Sequence, residues 1–165
     1  MELGEVRALA EGLLREHGLV GEWSFDFDHA RRRAGQCDFY RHRVTLSAPL
    51  MRLYQSEQVR EVILHEIAHA LAGARHHHDR VWRETAERIG AKPQTRLSNT
   101  PEVLPLWVGR CAAGHEFGRY RRPVAPASCM ICARRAAEAK GSRPLRTYNR
   151  NFRIIWTNTK TGETL

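Results

Sequence analysis

Residues 56–73 read SEQVREVILHEIAHALAG, and this stretch decides the fold of the N-terminal half of the chain. Ser56 is suited to cap a helix, Glu57 suits the first turn, and Gly73 is suited to end it. Apolar residues recur at intervals of three and four, which is the spacing of a buried helix face. They are Val59, Val62, Ile63, Ile67 and Leu71. The pattern predicts one helix from Ser56 to about Leu71.

The centre of this helix carries the sequence HEIAH at residues 65–69. Its two histidines, His65 and His69, are four residues apart and share one helix face, so both can bind one metal ion. Glu66 lies near that face without being a ligand. Because zinc lowers the pKa of bound water toward about 7, a nearby carboxylate can act as general base. The pattern predicts a catalytic zinc on the two histidines, with Glu66 as base. The alternative is two solvated histidines.

A catalytic zinc site needs a third protein ligand and an open position for water. The metzincin spacing requires Gly at position 72 and His at position 75, and Ala72 and Arg75 exclude that family. His78 directly precedes Asp79, the predicted start of a further helix, so its ring can face back toward the HEIAH helix. The candidates are His76, His77, His78, Glu84 and Glu87. For His76 and His77 a solvated loop is the favoured interpretation.

The sequence around the HEIAH helix predicts an α+β core over residues 1–91. Trp23, Phe25 and Phe27 alternate with polar residues, as in a half-buried strand. We expect a small antiparallel sheet with helices packed on it, a gluzincin-like minimal metalloprotease core. The other predicted elements are helices over 3–17 and from Asp79, and strands over 23–28 and 36–46.

The chain lacks both a long apolar stretch and the features of a signal peptide. No window approaches the roughly 18 uninterrupted apolar residues of a membrane span. The first residues, MELGEVRALAEG, carry acids rather than the basic start and apolar block of a secretory leader. We therefore expect a cytoplasmic protein with no membrane partner, and the DNA contact expected from its charge would place it at the nucleoid.

Beyond the core we expect a linker over 92–105, a zinc ribbon with a basic extension over 106–147, and a C-terminal strand or tail over 148–165. Closely spaced cysteines in a reducing compartment indicate metal binding more often than a disulfide. Three thiolates and one imidazole can close a tetrahedral structural zinc site. The predicted ligands are Cys111, His115, Cys129 and Cys132, against the alternative of ordinary buried thiols. Cys37 is predicted to belong to the core.

The net charge of +9 is unevenly distributed along the chain. Residues 1–91 hold 13 Arg plus Lys against 14 Asp plus Glu, whereas residues 92–165 hold 14 against 4. Such asymmetry indicates nucleic-acid contact. A coding bias toward Arg explains why only three of the 27 basic residues are Lys, but not why acids are scarce in the second half. The candidate contacts are Arg110, Arg119, Tyr120, Arg121, Arg122, Arg134 and Arg135. Phe117 and Tyr120 can stack on bases or form the core of the module.

Taken together, residues 20–135 resemble the SprT-like family, bacterial relatives of the DNA-protein crosslink protease Spartan. The resemblance rests on HEIAHALAG at 65–73, HHHDRVW at 76–82, and CAAGH with CMIC between 111 and 132. In the family a histidine within an H-G/D-x-x-W/F segment completes the zinc site. This implies His78 as the third ligand and Trp82 as a packing residue.

The resemblance further implies a zinc endopeptidase that acts on proteins bound or crosslinked to DNA and is stimulated by single-stranded or non-specific DNA. It implies one catalytic and one structural zinc. His115 departs from the family, because many zinc ribbons have cysteine there, and the extensions of eukaryotic Spartan are absent from this sequence. Two alternatives stay open: a DNA-binding zinc protein with a silent or regulatory peptidase site, and a metallopeptidase with a dedicated protein target. The oxyanion-stabilising group is open among Tyr40, His42, His76 and nearby arginines.

Overall fold

The computed structural model describes most of the chain: residues 1–95, 100–144 and 146–165. The chain forms two compact units, Met1–Val103 and Leu104–Leu165. The predicted linker over 92–105 therefore contributes to both units. Its residues 96–99, like Leu145 of the predicted basic extension, lie outside the described residues.

The N-terminal unit combines helices with a three-stranded sheet, so the expected α+β class is confirmed. Among the described residues, no helix combines the length and the apolar character needed to cross a bilayer. The helices are α1 (Leu3–Glu16), α2 (Ala48–Met51), α3 (Ser56–Ala72) and α4 (Arg80–Arg88). The strands are β1 (Ser24–Asp28), β2 (Gly35–Asp38) and β3 (Arg43–Ser47).

The sheet differs from the prediction in two respects. The strand expected over 36–46 is a hairpin, because the Asp38 carboxylate accepts hydrogen bonds from the backbone N–H groups of Tyr40 and Arg41, both at 3.1 Å, and closes a turn. The strand order is β1-β3-β2. β2 pairs antiparallel with β3, but β1 pairs parallel with it. The expectation of an antiparallel sheet was therefore wrong: the hairpin places β3 in the centre, running in the direction of β1.

Helix α3 is buried along most of its length and packs against the sheet and the other helices. Its N-cap is Gln55 rather than the predicted Ser56, because Gln55 and Gln58 form a reciprocal capping box. Gly73 follows the last turn, as the sequence predicted. The fully buried core joins the centre of α3 to β3 and α4 through Ile63, Ile67, Val44, Leu46 and Trp82.

The described part of the C-terminal unit contains a second three-stranded sheet, an α-helix and a short 3₁₀ helix over Arg150–Phe152. The strand order is β5-β4-β6, and both pairings are antiparallel. The elements are β4 (Trp107–Cys111), β5 (Glu116–Arg119), α5 (Met130–Glu138) and β6 (Ile154–Asn158). Helix α5 was not predicted. Residues 148–165, for which the sequence predicted a C-terminal strand or tail, contain β6, and because β6 pairs along the length of β4 this segment belongs to the C-terminal unit.

Replacement of Leu46 by alanine tests the core between β3 and α3. Leu46 is fully buried, and removing its side chain leaves a cavity that should lower the free energy of unfolding by about 2–5 kcal/mol. Urea denaturation followed by circular dichroism measures the change. Leu53, which is 42% exposed, provides the control, and Leu53→Ala should change stability by no more than about 0.5 kcal/mol. Equal losses in the two variants would contradict this account of the core.

Candidate metal centres

Three imidazole rings converge in the N-terminal unit. The Nε2 atom of His78 lies 3.0 Å from the Nε2 atoms of both His65 and His69. Zinc–nitrogen bonds of 2.0–2.1 Å in a tetrahedral site separate ligand nitrogens by about 3.3 Å. The three rings are therefore arranged as ligands of one small cation.

Two local features of the chain bring these rings together. His65 and His69 are adjacent on one face of α3 because the α-helix repeats every 3.6 residues. His78 has a φ of 54°, in the left-handed region that non-glycine residues rarely adopt. Directly after it, the Asp79 carboxylate caps α4 by accepting from the Trp82 N–H at 3.1 Å. The turn and the cap together direct the His78 ring toward α3.

Trp82 packs against all three rings of the histidine cluster. It is fully buried, and its ring centroid lies 4.5–5.2 Å from those of the three histidines. This packing restricts the rotation of all three imidazoles. The sequence pattern had implied a packing role for this residue, and its contacts are of that kind.

The pKa values of the three histidines are lowered, which favours the neutral rings that a cation requires as ligands. Burial, followed by repulsion from the other two histidines, lowers the pKa of His65 to about 4. Burial, followed by repulsion from His78, lowers that of His69 to about 4 as well. The pKa of His78 is also lowered, first by burial. These shifts all favour the neutral imidazole, which is the form that binds a metal.

Backbone carbonyl groups orient two of the rings. His65 donates a hydrogen bond to the carbonyl of Gln94, and His69 donates one to the carbonyl of His76. Such bonds select the tautomer that leaves the opposite nitrogen free for a metal. Gln94 follows α4 and was not identified from the sequence, since a backbone carbonyl carries no residue-type signal.

Glu66 lies beside the cluster in a nearly closed environment, with 7% of its surface exposed. Its carboxylate packs against Gly35 of β2 and accepts a hydrogen bond from the backbone N–H of Cys37. Burial raises the pKa of Glu66 to about 8, while the positive charge of Arg33 opposes that shift. A cation bound to the three histidines would lower this pKa, because it favours the ionised form.

The side chains of the remaining third-ligand candidates do not join the three converging rings. His76 binds the Asp79 carboxylate at 2.8 Å, and Glu84 binds Arg80 at 2.6 Å. His77 and Glu87 are not among the groups whose ligand atoms converge in the described part of the chain. His78 is thus the candidate that the structure places with His65 and His69.

Two of the residues considered for oxyanion stabilisation are engaged elsewhere. His42 stacks on Trp23 at 5.1 Å, and His76 is held by Asp79. Tyr40 is 92% exposed in the β2–β3 turn. The arrangement of these side chains does not favour any of them for that role.

A second cluster lies in the C-terminal unit and consists of the four residues singled out by their spacing: Cys111, His115, Cys129 and Cys132. The Nδ1 atom of His115 lies 3.4 Å from the Sγ atoms of Cys111 and Cys132 and 3.6 Å from that of Cys129. The β4–β5 turn supplies one pair, and the start of α5 supplies the other. Three sulfurs and one nitrogen around one point suit a tetrahedral structural ion. Cys37 is not part of this cluster and packs against the N-terminal core, as expected.

The candidate nucleic-acid residues are distributed over the C-terminal unit. Arg110 pairs with Glu116 at 2.6 Å, and Arg119 stacks over Trp156 at 5.0 Å. Phe117 packs against the small core, which is the structural role considered for it. Arg122 pairs with Glu163, Tyr120 is half-buried, and the remaining arginines, Arg121, Arg134 and Arg135, are exposed.

Comparison with known proteins identifies the N-terminal unit. The model of the SprT-like family matches residues 7–102, a segment that contains His65, Glu66, His69 and His78. Comparisons with curated proteins and with solved structures give no match. The matched segment covers more than half of the chain and includes its complete histidine cluster. The chain therefore belongs to the SprT-like family, which is associated with zinc metallopeptidase-type proteins.

Proposed function

We propose that this protein is a zinc-dependent endopeptidase that cleaves proteins bound or crosslinked to DNA. The observation that carries the proposal is the convergence of His65, His69 and His78 beside the buried carboxylate of Glu66. The family match supports the metallopeptidase part. A single ion held by three neutral imidazoles retains a position for water, as catalytic zinc sites require.

Zinc held by these three histidines would supply Lewis acidity and lower the pKa of bound water. Glu66 is the proposed general base: its carboxylate accepts a proton from water during attack on the peptide carbonyl and delivers it to the departing amine. The enclosed position of Glu66 supports this role, because electrostatic interactions are stronger where bulk water is excluded. Trp82 packs against the rings of all three proposed ligands, which supports a fixed arrangement of the site.

The C-terminal unit supports the nucleic-acid part of the proposal by its charge. It contains 12 Arg plus Lys against three Asp plus Glu, whereas the N-terminal unit contains 15 of each. Phosphate contacts by arginine are independent of sequence, so we propose that this unit binds single-stranded or non-specific DNA. A zinc ion on its Cys₃His cluster is proposed to stabilise a unit whose hydrophobic core is small.

Zinc analysis of purified protein tests the two sites separately. We expect two zinc ions per chain in the wild type, because each ligand cluster holds one. His69→Ala and Cys129→Ser should each bind one zinc ion, as measured by elemental analysis after dialysis. Cys37→Ser is the control and should retain two. A wild-type content of one, or a loss in the control, would contradict the assignment.

Proteolysis of a basic DNA-binding protein tests the activity. The wild type should cleave this substrate, and single-stranded DNA should increase the rate because enzyme and substrate assemble on the same strand. Glu66→Gln keeps the three ligands but lacks the base, and should lower the rate by about 10²–10⁴-fold. Gel electrophoresis of timed samples, with and without DNA, measures both effects.

Two results would change the proposal in different ways. Cleavage that requires Glu66 but ignores DNA would indicate a metallopeptidase with a dedicated protein target. Absence of cleavage by zinc-loaded protein would indicate a DNA-binding protein with a silent or regulatory peptidase site.

The salt dependence of DNA binding tests the basic surface of the C-terminal unit. Binding to a single-stranded oligonucleotide, measured by fluorescence anisotropy, should weaken steeply between 50 and 200 mM salt, roughly 300-fold if about six phosphates are contacted. Arg134→Ala and Arg135→Ala should each reduce the logarithmic salt slope by about one. Arg52→Ala, in the N-terminal unit, is the control. Salt-insensitive binding, or equal slopes in all variants, would count against this surface.

A further inference from the structure

The Glu66 carboxylate meets the backbone of β2 at a position that has no room for a side chain. A Cβ atom on Gly35 would lie 2.5 Å from Oε1 of Glu66, 2.8 Å from its Cγ and 3.0 Å from its Cδ. Contacts below 3.0 Å are too short for a carbon atom, so even alanine at position 35 would displace the carboxylate or the strand. Glycine at this position therefore sets how closely β2 and Glu66 approach.

The same strand supplies a hydrogen bond to Glu66. β2 lies at the edge of the sheet, paired on one side with β3. The backbone N–H of Cys37, two residues after Gly35, donates to the Glu66 carboxylate. In a β-strand the backbone groups of every second residue face the same edge. Gly35 and Cys37 therefore both face the edge of β2 that is not paired with β3. Steric contact and a hydrogen bond thus restrict Glu66 together.

Arg33 ties this part of β2 to the rest of the sheet. Its Nη1 donates to the carbonyl of Gly35 at 3.2 Å, and its Nη2 donates to Oδ2 of Asp28 at 2.8 Å. Asp28 is itself held by the Thr45 hydroxyl at 2.9 Å and the Ala30 N–H at 2.8 Å. The guanidinium is therefore anchored at the end of β1 and holds the first residue of β2 in place.

We infer that Arg33 and Gly35 are positioning residues for Glu66: Arg33, anchored on Asp28, holds the Gly35–Cys37 backbone, and that backbone holds the carboxylate in the orientation that proton transfer requires. Neither residue belongs to the metal-binding cluster. The inference rests on the proposed function, since it assigns a role to Glu66 as base.

The N-terminal unit contains a second arginine in a closely similar setting, and it provides a matched control. Arg7 donates to the carbonyl of Phe25 at 3.4 Å and to Oδ1 of Asp26 at 3.4 Å. Its side chain is 42% exposed, against 44% for Arg33. Both arginines therefore link a strand carbonyl to an aspartate, but the carbonyl bound by Arg33 belongs to the strand that contacts Glu66. Gly12, whose added Cβ would meet no atom within 4 Å, is the corresponding control for Gly35.

The first experiment compares cleavage kinetics and zinc content of the full-length, zinc-loaded variants Arg33→Gln, Gly35→Ala, Arg7→Gln and Gly12→Ala. A misplaced catalytic group costs up to about 10²-fold in rate, so kcat should fall about 10-fold in Arg33→Gln and about 10²-fold in Gly35→Ala. KM should stay within about twofold of the wild type, because proton transfer contributes to the transition state and not to substrate binding. Zinc content should be unchanged in all four variants, and both controls should retain wild-type kinetics.

The second readout does not depend on activity. The amide resonance of Cys37 in a ¹H–¹⁵N NMR spectrum reports its hydrogen bond to the carboxylate, and Glu66→Gln gives the position of that resonance once the charge is removed. In Arg33→Gln and Gly35→Ala the resonance should move in the direction seen in Glu66→Gln. In the two controls it should stay at the wild-type position. If Gly35→Ala does not fold, Arg33→Gln decides the outcome by the same two readouts.

The inference is overturned if Arg33→Gln keeps wild-type kcat, if its effect lies in KM or zinc content, or if the Cys37 resonance does not move. A wild-type protein that cleaves nothing would instead remove the proposed function, while the NMR comparison would still show whether Arg33 and Gly35 hold the carboxylate.

Discussion

The burial of helix α3 between the sheet and α4 is the constraint on which the N-terminal unit depends. One side of the helix supplies Val59, Ile63 and Ile67 to the core, and burial of such side chains is the main favourable contribution to folding. The same helix carries His65, Glu66 and His69, so the packing that stabilises the fold also sets the position of the candidate site. Trp82 connects the hydrophobic core to the candidate site, since it belongs to the core and contacts the imidazoles of His65, His69 and His78.

Placing polar side chains at the edge of a core has an energetic cost that the local structure offsets. A buried carboxylate without hydrogen bonds is strongly unfavourable, and the Cys37 N–H and the nearby Arg33 charge both reduce that penalty for Glu66. The imidazoles of His65 and His69 are held by the carbonyls of Gln94 and His76. Backbone groups from three different segments therefore contact the side chains of this site.

The C-terminal unit differs from the N-terminal unit in having a much smaller hydrophobic core. Its buried cluster contains Trp107, Ile154 and Trp156 together with two of the cysteines, Cys111 and Cys129. Units of this size generally need a disulfide or a metal in addition to hydrophobic burial. The Cys₃His cluster provides the ligands for such an ion, and it joins the β4–β5 turn to the start of α5. The family match ends at residue 102 and so does not extend to this unit.

The sequence alone determined the features that depend on local spacing. The helix of residues 56–72 and the shared face of His65 and His69 follow from helical periodicity, whereas its ending at Gly73 and the four-residue Cys/His pattern follow from residue type and spacing. The position of His78 before Asp79 and the family resemblance already favoured it as the third ligand, and the tertiary structure places its ring beside His65 and His69, whereas His76 binds Asp79. Only the tertiary structure decided the parallel pairing of β1 with β3 and the pairing of β6 with β4, since strand order depends on contacts between distant residues. The backbone groups of Gly35, Cys37 and Gln94 could not be found either, because a carbonyl or an amide N–H is present at nearly every position and acquires a role only from where the fold places it.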